Sequence, residues 1–392
     1  MSATAEFRQG WRIALGGFLG IAIGVSSLYF YSLGIFLKPL ATEFGWTRSQ
    51  ASLGPLVGTG CTALMAIPIG RLADRIGSAR LAICSLALLA ICLAAAGWLA
   101  SGLTSFLVLT AMLSLLTAGS SPLPFTRMVV ASFKHARGLA LGLVLAGTGV
   151  GSILIPAFLP AFIAANGWRA GYFVLAAVIA LILPIVALLL RADPAQAEPV
   201  GTPQPLRKVI GNSAFLPLAA IFGLASVAVL GTVVHFVPML TDAGLSPARA
   251  GGITALIGVS AVVGRVATGW LLDRLRAEWV VAGLFLAAGC GLILLMAGGL
   301  SVVSAGAIVV GLCVGAEVDL IAYLVARDFP RTDYGQAYGA LYTLFLVGGA
   351  VGPVVAGALF DATGNYNGWL GIAAILLFLS AGLALRTYSR SA

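Results

Sequence analysis

Short charged segments cut this sequence into twelve apolar stretches of about 20 to 27 residues. They run over 12–37, 50–70, 80–99, 103–130, 138–163, 170–190, 213–240, 249–271, 277–299, 301–326, 335–360 and 368–386. At a rise of about 1.5 Å per residue, each makes a helix long enough to cross a hydrocarbon core of ~30 Å. Lipid offers backbone groups no partners, so a chain of this pattern closes its hydrogen bonds within helices. Composition points the same way: 60% of residues are hydrophobic and 9% charged, against about a quarter charged in soluble domains. Glu6 and Arg8 precede the first stretch, which is too long for a signal-peptide core and reads as an uncleaved first span. The expectation is an all-α integral membrane protein with twelve transmembrane helices.

The net charge of +9 invites a nucleic-acid partner, but the basic residues follow the loops instead of forming a patch. With the N-terminus inside, sixteen of the 22 Lys and Arg residues fall in cytoplasmic segments. Lys38, Arg48, Arg169 and Arg249 fall outside, and Arg127 and Arg265 lie within spans. The positive-inside rule then predicts both termini in the cytoplasm and accounts for the charge without nucleic acid. Cys61, Cys84, Cys92, Cys290 and Cys313 all lie in apolar stretches without metal-ligand spacing, so they read as small packing residues. No nucleophile–base pair, metal cluster or phosphate-cradling loop suggests an enzyme or a cofactor.

The chain repeats itself. At an offset of 199 residues, Pro39 matches Pro238, Gly45 matches Gly244, and Gly70, Leu72, Asp74 and Arg75 match Gly269, Leu271, Asp273 and Arg274. At an offset of 197, Gly138, Gly142, Gly151 and Pro156 match Gly335, Gly339, Gly348 and Pro353. Between the copies, 191–208 carries four prolines and no apolar run, which marks a polar linker. The predicted domains are two pseudo-symmetric six-helix bundles, 1–190 and 209–392, joined by 191–208. Parallel halves of this kind imply a site near the midplane and alternating access by rocking.

Gly70-Arg71-Leu72-Ala73-Asp74-Arg75-Ile76-Gly77 resembles the signature loop between helices 2 and 3 of the major facilitator superfamily, and Gly269 to Arg274 resembles its degenerate second copy. Asp74 between Arg71 and Arg75 then suggests a gating charge latch, echoed by Asp273 and Arg274. The run from Phe133 to Gly142, with Ala146 to Gly151, is similar to the helix-5 motif of the monocarboxylate porters and oxalate/formate antiporters. Glu43-Phe44-Gly45-Trp46-Thr47-Arg48 resembles the first outer loop of bacterial members of that branch. Two departures stand out. The antiporters carry a second basic residue in helix 11, whereas Gly335 to Phe360 contains no Lys or Arg. The porters often carry an acid four residues before the helix-8 arginine, where this chain has Ala261.

Charge inside the apolar stretches is the most informative feature, because a charge near the bilayer centre costs roughly 2.5–3.5 kcal/mol on insertion scales. Arg265, Glu317 and Asp319 lie within about 8 Å of the middle of spans 8 and 10, at matching depth. Arg265 therefore meets a span-10 carboxylate, but Glu317 and Asp319 are two residues apart and point to nearly opposite faces. Which of them joins Arg265 stays open in the sequence. A guanidinium beside a cavity suits a carboxylate held by two parallel hydrogen bonds, and the resemblance places a substrate-binding arginine in this helix. The other use of Arg265 is a purely structural salt bridge. His235, near the outer end of span 7, suits proton handling or an interfacial polar role. Arg127, near the inner end of span 4, suits snorkelling or pairing at a gate. Tyr29, Tyr31, Tyr323 and Tyr342 are candidate cavity-wall residues, with Tyr338 alongside.

The combined expectation is a secondary transporter of a small organic monoanion, proton-coupled through Glu317, Asp319 or His235, acting as a monomer in a bacterial inner membrane. A proton-coupled drug or metabolite effluxer of the same fold is the alternative, and in it Arg265 only pairs with span 10.

Overall fold

The computed structural model describes residues 3–133, 137–191, 206–272, 274–298, 300, 302–330 and 333–389. All regular elements among them are helical: α1 (Ala3–Ala22), α2 (Phe30–Phe44), α3 (Arg48–Ile76), α4 (Ser78–Leu99), α5 (Leu103–Thr117), α6 (Pro122–Ser132), α7 (Arg137–Leu145), α8 (Gly147–Asn166), α9 (Trp168–Leu190), α10 (Leu206–Ile210), α11 (Phe215–Asp242), α12 (Pro247–Leu272), α13 (Ala277–Gly298), α14 (Val303–Asp328), α15 (Tyr334–Thr363) and α16 (Asn367–Ser389). Eleven helical stretches among the described residues are long and apolar enough to cross a membrane. The span expected at 50–70 lies in α3, whose 29 residues extend over about 44 Å. Most of the 191–208 linker lies outside the described residues.

The chain divides into two compact units, Met1–Trp46 with Cys61–Pro199, and Thr47–Gly60 with Val200–Ala392. A boundary at the linker alone does not anticipate that Thr47–Gly60 groups with the second unit. Its first turn is tied there by polar contacts described below.

In the first unit, three spans read from the sequence as continuous are broken. A π-helical turn, Val25–Tyr29, separates α1 from α2, and a 3-10 turn, Ala118–Ser120, separates α5 from α6. These breaks support each other. The Val25 amide, released from the regular ladder, donates to Ser120 Oγ at 3.2 Å, and a Cβ on Gly24 would collide with the Ser120 carbonyl. The third break, at Ala146, separates α7 from α8. In the second unit α11, α14 and α15, the repeat partners of these spans, run unbroken.

The core of the second unit depends on close backbone approach between α12 and α14. A Cβ on Gly315 would strike the Ala261 carbonyl, and one on Gly264 would strike the Leu312 backbone. Small residues let helices in lipid approach until backbone meets backbone, where dispersion replaces the missing hydrophobic drive. That approach positions the charged pair below.

Candidate functional site

Arg265 projects from α12 along the glycine-lined face of α14. Its Nε lies 2.9 Å from Asp319 Oδ2 and donates to the Gly315 carbonyl at 3.4 Å. The two side chains are 35% and 38% exposed, so the pair is accessible and neither group is sealed. Gly311, Gly315 and Asp319 recur every four residues and share one face of α14. Without side chains at 311 and 315, α14 abuts the Ile257 and Ala261 backbone of α12, and the arginine head reaches the Gly315 carbonyl and Asp319.

Glu317 lies elsewhere. It is 1% exposed, and neither carboxyl oxygen has a hydrogen-bond partner among the described residues. Cys313, Leu320, Ile321 and Leu324 on the same helix are all fully buried, so the carboxyl sits in an apolar stripe. Two residues of helix rotate a side chain by about 200°, which sends Glu317 into the core and leaves Asp319 beside Arg265. A buried polar group without a partner costs about 1–3 kcal/mol. Glu317→Leu is therefore expected to raise the thermal midpoint of the purified protein. A lowered midpoint in a thermal-denaturation assay would show that the carboxyl has a partner.

His235 on α11 is 1% exposed and held on both ring nitrogens. Nε2 lies 2.8 Å from the Pro353 carbonyl and 3.1 Å from Ser52 Oγ, and Nδ1 lies 3.0 Å from the Tyr366 hydroxyl. A carbonyl only accepts, so Nε2 carries the proton and Nδ1 accepts from tyrosine. The structure places His235 as a cross-link between helices.

Beside it lies a cluster that sequence reasoning missed. Arg48 Nη2 contacts both Asp242 oxygens at 3.0 and 2.8 Å, and its guanidinium lies 5.3 Å from the Phe360 ring centroid. Asp361 accepts from the Arg48 and Ser49 amides at 2.7 and 2.8 Å and from Ser49 Oγ at 2.6 Å. It thereby caps the N-terminus of α3 from a different helix, where unpaired amides and the helix dipole favour an anion. A signal was available: Glu43, Asp242 and Asp361 are acids in the segments expected on the same outer side as Lys38, Arg48, Arg169 and Arg249. Glu43 likewise pairs with Arg169 and accepts from Trp168 Nε1.

At the signature loop, Arg127 on α6 donates from Nη1 to the Gly70 carbonyl at 3.0 Å, which places this arginine against the start of that loop. Arg75 lies in the last turn of α3. The side chains of Arg71 and Asp74, and the whole of Asp273, lie outside what the structure describes. Gly269 has open space where a Cβ would stand, and the Arg274 guanidinium lies 4.0 Å from the Trp270 ring centroid.

The tyrosines scatter. Tyr29, expected on a cavity wall, is 3% exposed within the π-helical turn. Tyr31 is half-buried and packs edge-on against Phe30 at 5.3 Å. Tyr338 and Tyr342 stack at 5.8 Å, and Tyr342 stacks on Phe345 at 6.0 Å. Tyr323 lines a different cavity, at the ends of the helices of the second unit. Of the residues singled out in the sequence, the structure thus joins Arg265 with Asp319, Arg127 with Gly70, and Tyr338 with Tyr342.

Two helical units with an accessible ion pair inside apolar spans define a multi-pass membrane transporter. The chain belongs to the Major Facilitator Superfamily, whose sequence profile matches residues 19–353 and 218–392. It is 27% identical to monocarboxylate transporter 13 of Rattus norvegicus over 96% of this chain and 88% of that protein. It is 30% identical to human monocarboxylate transporter 11 over 60% of this chain, a match spanning 53% of that protein. Among solved structures, a bacterial homologue of the human lysosomal transporter Spinster, in an inward-facing and occupied conformation, shares the fold. The TM-score is 0.74 at 17% identity, covering 97% of this chain and 96% of that one.

Proposed function

We propose that this transporter moves a small organic monoanion, with Arg265 as the substrate-binding cation and Asp319 as the coupled proton carrier. The observation that carries the proposal is the accessible Arg265–Asp319 pair at 2.9 Å inside two apolar spans. A substrate carboxylate competes with Asp319 for the guanidinium. Asp319, released from the guanidinium, takes up a proton. The loaded site then holds one anion, one cation and a neutral acid, which keeps its net charge as it was before loading. Gly335 to Phe360 adds no second cation, so a monoanion matches the site and a dianion leaves an excess negative charge. Similarity to proteins named monocarboxylate transporters supports the same substrate class.

The distribution of Lys and Arg supports cytoplasmic N- and C-termini. Short loops and the Ala/Gly-rich composition support a bacterial inner membrane, with the protein working as a monomer. The effluxer alternative draws on the same pair, because an arginine permanently engaged by Asp319 binds no anion. Purified protein in proteoliposomes with a trapped pH dye separates the two. Proton influx on adding a small monocarboxylate, absent with dicarboxylates and organic cations, is the expected outcome. Proton movement driven by cationic or neutral compounds alone would sink the anion reading.

A further inference from the structure

Away from Arg265, the second unit contains an open cavity of about 1090 Å³ where α11 and α13 begin and α14 and α16 end. Its wall carries three guanidinium groups, Arg276, Arg327 and Arg386, and two carboxylates, Glu278 and Asp328. The acids are engaged within the wall. Arg276 contacts Glu278 at 2.6 Å, and Arg327 contacts Glu278 at 3.6 Å and Asp328 at 2.7 Å. Among the described residues of the wall, three cations against two anions leave one formal positive charge in excess, and the Arg276 side chain is 59% exposed.

The rest of the wall has a different character. Leu216 and Leu275 line the cavity at 73% and 52% exposure. At the ends of membrane-spanning helices such leucines face acyl chains, whereas the arginines stand at the level of the headgroups. A basic recess between helix ends with an apolar flank is the arrangement that holds anionic lipid headgroups.

We propose that this cavity binds the phosphodiester headgroup of an anionic phospholipid. A phosphodiester carries one negative charge, which equals the excess in the wall, and guanidinium forks match its oxygens. A zwitterionic lipid adds a cation that the wall does not neutralise. The site is separate from the transport pair, since neither Arg265 nor Asp319 lines it. Tyr323 does line it, four residues along the same helical face from Asp319, so an occupied cavity sits one turn from the coupling acid.

The proposal depends on the membrane-spanning fold and not on the substrate. Its test is native mass spectrometry of the full-length protein in mild detergent, titrated with phosphatidylglycerol, phosphatidylcholine and soluble sn-glycerol 3-phosphate. Phosphatidylglycerol is expected to bind in preference to the other two. Arg276→Gln and Arg386→Gln should each weaken it roughly fivefold, with binding of phosphatidylcholine unchanged. Because Arg276 also holds Glu278, a poorly folded Arg276→Gln protein would leave Arg386→Gln, checked for monodispersity, to decide. Equal binding of the two lipids, or unaltered phosphatidylglycerol binding by a folded Arg386→Gln variant, overturns the proposal. Binding of sn-glycerol 3-phosphate as strong as that of the lipid overturns the lipid assignment and leaves a soluble phosphate site.

Discussion

Arg265→Gln is expected to abolish monocarboxylate uptake in proteoliposomes while leaving the protein folded and monodisperse. Glutamine retains a polar side chain of moderate length but loses the charge that holds a carboxylate. Removing the cation that a bound substrate carboxylate pairs with costs roughly 2–5 kcal/mol, a loss of about 30-fold or more in substrate affinity. The unpaired Asp319 that remains is 38% exposed at its side chain, so it stays partly solvated and the fold survives. Arg265→Lys is the informative companion. Lysine keeps the charge but lacks the planar fork, and Arg265 Nε is the atom that approaches Asp319 and the Gly315 carbonyl. Partial activity in the lysine variant with none in the glutamine variant identifies charge as the requirement. Full uptake by a folded Arg265→Gln protein would mean that the arginine only braces α12 against α14.

Asp319→Asn is expected to separate binding from coupling. Asparagine cannot accept and release the proton, so an imposed pH gradient should no longer drive accumulation. Substrate exchange across the membrane at equal pH should persist, and substrate affinity should rise, because asparagine competes more weakly than a carboxylate for the guanidinium. Accumulation driven by the pH gradient is expected to fall by at least about tenfold, the scale set by a change of ~1.4 kcal/mol. The measurement is paired: labelled-substrate counterflow and gradient-driven uptake on the same vesicles. Loss of both together would place Asp319 in binding or folding and not in proton transfer. Retention of gradient-driven uptake would move the proton to another group, with Glu317 next in line on the same helix.

The depth of these charges was legible in the sequence because helical rise is constant, so residue counts along spans 8 and 10 put Arg265 level with both acids. Their direction was not. Whether Glu317 or Asp319 meets Arg265 depends on which face of α14 lies against α12, and that is decided by Gly311 and Gly315 abutting Ile257 and Ala261. Gly315 was visible in the sequence, but fifty glycines give no means of telling which ones mark a contact. The internal repeat had a similar limit. It supported a two-bundle expectation, yet it carried no sign that the first-unit copies of spans 1, 4 and 5 are broken whereas α11, α14 and α15 are continuous. The breaks in spans 1 and 4 depend on Val25 and Ser120 meeting across 95 residues.

The polar cluster around Arg48 shows the same division. Of its three charges only Arg48 counted in the sequence, as a topological charge, because Asp242 and Asp361 stand 194 and 313 residues away from it. Sequence by itself determined the helical, membrane-crossing character, the twofold repetition and the depth of each buried charge. These follow from local hydropathy, spacing and the constant rise of a helix. Only the tertiary structure decided which charges pair, which acid is buried alone, and where α3 anchors, because those outcomes turn on the rotation and close approach of helices far apart in the chain.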